Sequence, residues 1–162
     1  VPRSPEALEA VVALAGVATT RRYQPRPYPG AGNGVQTYCN IFVSDVTRWL
    51  GCEVPHQVDG VWQDVRGNAD WLRGEHDGWR KSTAAAAQAA ADAGRPAVVL
   101  WDPPQRSHGH IALLVPSHGE GGVWIAQAGA SCFARGRLVH GFGQAIVTAT
   151  PPAPSLEYFE HD

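Results

Sequence analysis

At Pro96 the sequence changes its hydrophobic period. Upstream, apolar residues recur at helical spacing: Leu8, Val11, Val12 and Leu14, then Phe42, Val43, Val46, Trp49 and Leu50. Downstream the runs are short and apolar, AVVLWD, HIALLVP and VWIAQAG, separated by turn residues. Weaker strand candidates follow at Arg137 to Val139 and Ala145 to Thr148. Helices first and strands afterwards predict an α+β fold, a helix packed across one face of an antiparallel sheet of four to six strands.

The spacing predicts helices over Ser4 to Ala18, Cys39 to Leu50 and Ser82 to Ala93. Ser4 and Pro5 supply a start signal, and Gly51 and Gly94 supply stops. Between the first two lies RRYQPRPYPGAGNG, a proline- and glycine-rich loop that delivers the chain to Cys39. Pro55 to Arg80 is polar and tryptophan-rich and predicts only short helical pieces, and TPPAP reads as a proline-rich break.

With 162 residues and 44% hydrophobic content the chain suits one globular domain with a proper core. A net charge of -2, with no run of basic residues, gives no electrostatic case for a nucleic-acid partner. No apolar run reaches the roughly 18 residues of a membrane span, so no membrane partner is expected. The absence of methionine suggests a processed product or a segment of something longer. The three cysteines form no CxxC pair, so no structural metal site is expected. Their odd count permits a disulfide between Cys52 and Cys132 with Cys39 left free, or three free thiols.

A thiol becomes a useful nucleophile when its pKa falls, and the unpaired amides of a helix N-terminus favour the thiolate. Cys39, in TYCNIFVSDVTRWLG, has that placement. His110 opens an otherwise apolar strand, where an imidazole needs a partner, and it is the candidate general base. Gln127 interrupts the next strand, and a hairpin around Ser117 to Gly122 brings it roughly opposite His110 as the group that orients the ring. A one-residue slip would turn either side chain to the other face. Two other readings stay open. His108 could serve as the base, or the HGH pair could hold a metal with Asp102. Trp62, Trp71 and Trp79 could form the platform of a non-catalytic wall- or peptide-binding module, or could be core and cleft residues.

In this order TYCNIFVSDVTRWLG, GHIALLVP and IAQAGA resemble the papain-like fold of the NlpC-like and CHAP cysteine peptidases and amidases that act on bacterial cell walls. The resemblance spans roughly Thr37 to the closing LEYFEHD. It implies a catalytic core over 37–162, with 1–36 as the N-terminal helix and loop of the same domain. It further implies hydrolysis of an amide in peptidoglycan without a cofactor, with Cys39 as nucleophile, His110 as base and Gln127 as orienter. The Cys39 amide, aided by Gln36 or Tyr38, would receive the oxyanion, while Trp62 and Trp71 would line the cleft. The implied setting is extracytoplasmic, secreted, periplasmic or phage-delivered. The partners would be a peptidoglycan peptide and an inhibitor or immunity protein. Gln127 departs from the family pattern, which more often has His, Asn or an acid at this place; a neutral amide fixes the tautomer without stabilising imidazolium as a carboxylate would.

Overall fold

Ser4 starts the first helix by accepting a hydrogen bond from the Ala7 amide, and Pro5 fills a helical position that needs no donor. In the computed structural model, which describes residues 3–28, 34–106, 108–150 and 153–162, this helix α1 spans Pro5–Ala15. It stops short of Ala18 because Gly16 takes a left-handed conformation, φ 58°, that turns the chain away. Part of the proline- and glycine-rich loop, part of TPPAP and Ser107 of the strand approach lie outside the described residues. The loop's flanks pair as a short hairpin, β1 (Arg26–Pro27) with β2 (Val35–Gln36).

Helix α2 spans Cys39–Trp49, with Leu50 as its cap. Phe42, Val43 and Val46 are fully buried, each worth about 1.5–3 kcal/mol by transfer from water, whereas Trp49 leaves the expected stripe and is exposed. Polar side chains fix the helix axially. Arg22 grips the Asp45 carboxylate with two hydrogen bonds of 2.6 and 3.1 Å, and the Tyr23 hydroxyl donates to it at 2.9 Å. Ser44, also fully buried, meets His56 Nδ1 at 2.7 Å and so ties the helix to the chain that follows.

That chain makes the hairpin β3 (Gln57–Val58) and β4 (Val61–Trp62), then helix α3 (Val65–Arg73), capped by Asp64. Strand β5 (Trp79–Ser82) leads to helix α4 (Ala84–Asp92), capped by Thr83. The three apolar runs form β6 (Ala97–Trp101), β7 (His110–Leu114) and β8 (Trp124–Ala128). Strand β9 (Cys132–Arg137), the short helices α5 (Leu138–Phe142) and α6 (Gln144–Val147), and β10 (Glu157–His161) complete the chain.

Six of the strands make one antiparallel sheet in the order β5-β10-β6-β7-β8-β9. The fold is therefore α+β with a six-stranded sheet, at the upper end of the expected range. Every residue of β6, β7 and β8 is buried except Trp101 and His110, which pair with each other across the strands. Helix α2 packs on β7 and β8, α4 packs on β10, β6 and β7, and α1 bridges the two helices. One continuous core runs from Leu8 to Phe159.

Two expectations are corrected. Arg137 to Val139 and Ala145 to Thr148 are not strands: Arg137 ends β9 and caps α5, and Gln144–Val147 is α6. Strands β5 and β10 carry polar, half-exposed patterns without a clean alternation, and they pair with each other across nearly 80 residues, so no local pattern marks them. No helix among the described residues is long and apolar enough to cross a membrane.

Candidate active site

Tyr38 occupies the N-cap of α2 without a side-chain cap bond, and no acidic residue sits in the first turn. The leading amides of the helix thus stay available to the residue that opens it. Cys39 is that residue, 3% exposed, and the amides of Asn40 and Ile111 donate toward its sulfur. The His110 imidazole is its side-chain partner. Burial by itself would push the thiol pKa up, but the hydrogen bond and positive charge of His110, with the two amides, more than offset it and hold the thiol below its usual value. Burial likewise pulls His110 down, while the Cys39 thiolate and the hydrogen bond to Gln127 raise it above the usual imidazole value. Both directions favour a thiolate–imidazolium pair.

Gln127 holds the far side of the ring. Its Oε1 lies 2.7 Å from His110 Nε2, and its own NH2 donates to the Ser131 carbonyl at 3.0 Å. The Ser131 bond sets which end of the amide faces His110: the oxygen accepts, so Nε2 carries the proton and Nδ1 is left for Cys39. The strand register pairs Leu113 with Ala126 and Leu114 with Ile125. Carried on toward His110, it sets Gly129 opposite the imidazole and Gln127 on the diagonal, two residues further along the same face. A Cβ at Gly129 would stand 3.3 Å from His110 Cε1.

Two glycines are steric requirements of this arrangement. At Gly109 a Cβ would fall 2.2 Å from the Trp101 carbonyl and 3.0 Å from Val65 Cγ1, so the chain can bring His110 beside Trp101 only through glycine. At Gly141 in α5 a Cβ would fall 2.3 Å from Gln127 Oε1. The next residue, Phe142, is buried and lays its ring against His110 with centroids 4.8 Å apart. The strand expected over Arg137 to Val139 overlaps the first two residues of α5, and nothing in the sequence marks Gly141, Phe142 or Ser131 as neighbours of His110 and Gln127.

The remaining candidates fall on both sides of this cluster. Gln36 is exposed on β2 and accepts from the Tyr38 hydroxyl at 3.4 Å; among the described residues no hydrogen bond joins either side chain to Cys39. Trp62 is 69% exposed, stacks on His56 at 5.3 Å, and stands next to Gln63, whose carbonyl accepts from the Asn40 side chain at 2.7 Å. Asn40 thereby brings the β3-β4 hairpin to the head of α2. Trp71 is half-buried on α3 against His76, and among the described residues no hydrogen bond joins it to the site. Trp79 is no platform residue: it is fully buried and donates from Nε1 to the Cys52 carbonyl at 3.0 Å.

The alternative pairings are not made. The imidazole shown against the thiol is that of His110. Asp102 spends its oxygens on Arg66 at 3.1 Å and Arg73 at 3.2 Å, which removes it from the proposed metal set. Among the described residues no three His, Cys, Asp or Glu side chains gather where a metal could be held. The Cys52–Cys132 bond is absent, and all three cysteines are free. Cys52 is buried beyond the end of α2, while the Cys132 thiol contacts the carbonyls of Tyr23 and Gly129. No protein-family model matches the chain, and no curated protein matches it either.

Proposed function

We propose that the chain is a cysteine-dependent amide hydrolase with a papain-like, NlpC-type core that acts on peptidoglycan peptides outside the cytoplasm. The observation that carries this reading is the single line of side chains Cys39, His110 and Gln127, with Oε1 of Gln127 2.7 Å from His110 Nε2. Such a line has one chemical use that burial and packing do not require: it keeps a buried thiol ionised.

The thiolate of Cys39 attacks the amide carbonyl carbon, and the oxyanion forms beside the Cys39 amide at the uncapped helix N-terminus. His110 passes its Nδ1 proton to the leaving nitrogen, the C–N bond breaks, and a thioester remains. Water then gives a proton to His110 and adds to the thioester, releasing the acid and restoring the thiolate. Gln127 keeps the ring turned toward the sulfur throughout and does not touch substrate. No cofactor enters this sequence.

Incubating purified sacculi with the protein and identifying the released fragments by mass tests the reading. New amine and carboxyl ends are expected with the wild type and none with Cys39→Ala; turnover by Cys39→Ala would overturn it. The exposed Trp62 beside the head of α2 supports a second reading, a wall- or peptide-binding module without catalysis. Sedimentation of Cys39→Ser with sacculi, with no fragments released by the wild type, would favour that module. An inhibitor or immunity protein would be a further partner of the enzyme.

A further inference from the structure

Twelve arginines and Lys81 supply the chain's positive charge. Eight of the arginines lie within 4.0 Å of an Asp or Glu oxygen. Among the described residues Arg3, Arg21, Arg26 and Arg106 have no carboxylate partner. Two of these four lie over aromatic rings whose residues neighbour Cys39 in the chain or His110 across the sheet. The Arg26 guanidinium lies 5.0 Å from the ring centre of Tyr38, the residue before Cys39. The Arg106 guanidinium lies 5.4 Å from the ring of Trp101, the cross-strand partner of His110.

Stacking orders a guanidinium while leaving edge N–H groups free for a planar anion. Arg26 spends one donor on the Arg21 carbonyl at 2.9 Å, and both side chains are exposed. The nearby acid is neutralised, since Asp102 beside Trp101 is held by Arg66 and Arg73. The first turn of α2 adds no negative charge. In a chain of net charge -2, two guanidiniums without a carboxylate partner among the described residues thus lie over the residue that precedes Cys39 and over the strand partner of His110.

We propose that Arg26 and Arg106 are an anion-reading pair, and that the substrate is an acidic peptide with carboxylates on either side of the scissile amide. This rests on Cys39 as the nucleophile. The pair draws the acidic peptide toward the thiolate and sets its direction across the site, each guanidinium taking one carboxylate through two parallel N–H donors.

Iodoacetate and iodoacetamide test this, because both alkylate a thiolate with loss of iodide and differ only in carboxylate against amide. The ratio of their rates at Cys39, followed by peptide mass and divided by the same ratio for glutathione, isolates the preference for the anion. At low ionic strength the wild type should favour iodoacetate by about tenfold, fading as salt rises. Arg26→Gln and Arg106→Gln should each cut the ratio about threefold, the double variant should match glutathione, and Arg21→Gln should not change it. Because the ratio is taken within one variant, a general loss of reactivity cancels. A wild-type ratio equal to that of glutathione, or one that survives in the double variant, overturns the pair. Should Cys39 react no faster than Cys52 and Cys132 with either reagent, the nucleophile itself is refuted and the substrate inference with it.

Discussion

Helix α2 has a buried cysteine at its head and another just beyond its tail. Cys39 opens the helix among available amides, with His110 against its sulfur. Cys52 follows the C-terminal turn, its amide bonded to the Thr47 carbonyl; the charge of Arg3 acts on the sulfur, but among the described residues no group donates a hydrogen bond to it, and burial prevails. Burial pushes its thiol up to about 11, while that of Cys39 falls below the usual value. Depth is common to the two; the helix end and the imidazole differ. At Cys52 burial outweighs the nearby charge of Arg3, whereas at Cys39 the hydrogen-bonded imidazole together with the Asn40 and Ile111 amides outweighs burial.

The largest test of that contrast exchanges the cysteines for alanine. Cys39→Ala should lower hydrolysis of sacculi by at least about 10⁴-fold with the fold intact by circular dichroism. Cys52→Ala should leave turnover unchanged; a comparable loss there would abolish the distinction. His110→Ala comes next. Without the imidazole, Cys39 reverts toward an ordinary or raised thiol, and its alkylation near pH 6 should drop by about 10²-fold or more.

Gln127→Ala should be milder, about 10- to 100-fold in kcat/KM. If the proposed mechanism holds, the wild-type profile should rise with pH as Cys39 ionises at its lowered pKa and fall as His110 gives up its proton at its raised one. The Gln127 bond helps raise His110, so its loss should move the alkaline limb to lower pH. Gly141→Ala should reproduce that shift, since its Cβ would displace Gln127 Oε1. An unmoved alkaline limb in both variants would remove Gln127 from the account. The smallest effect belongs to the silent thiol: Cys52→Ala should cost about 1 kcal/mol of stability, read from denaturant unfolding.

The parts of the fold legible in the sequence are those with local signals. Ser4 with Pro5 marks the start of α1 and Gly51 the end of α2, whereas the left-handed turn at Gly16 that ends α1 before Ala18 is not legible from the spacing. The apolar runs of β6, β7 and β8 declared a buried sheet because both faces are covered. Cys39 is legible from its place at the head of a helix, and His110 and Gln127 as polar residues in otherwise apolar strands. What escaped depends on distant pairing: β5 joins β10 through His161 and Trp79, and nothing in either segment names the other. Helix α5 escaped because five residues are too few for a helical period, yet it sets Gly141 and Phe142 against the site. The aromatic trio of Trp62, Trp71 and Trp79 looked alike in sequence and separated only on folding, into one exposed, one half-buried and one core residue.

The most direct measurement is the pH dependence of alkylation at Cys39 in the wild-type protein, followed residue by residue with iodoacetamide and peptide mass. Cys39 should react well below the usual thiol range and lose reactivity only in acid, while Cys52 should stay inert until strongly alkaline pH. A single titration of Cys39 in the ordinary thiol range or above it, in step with Cys52, would contradict the thiolate–imidazolium pair.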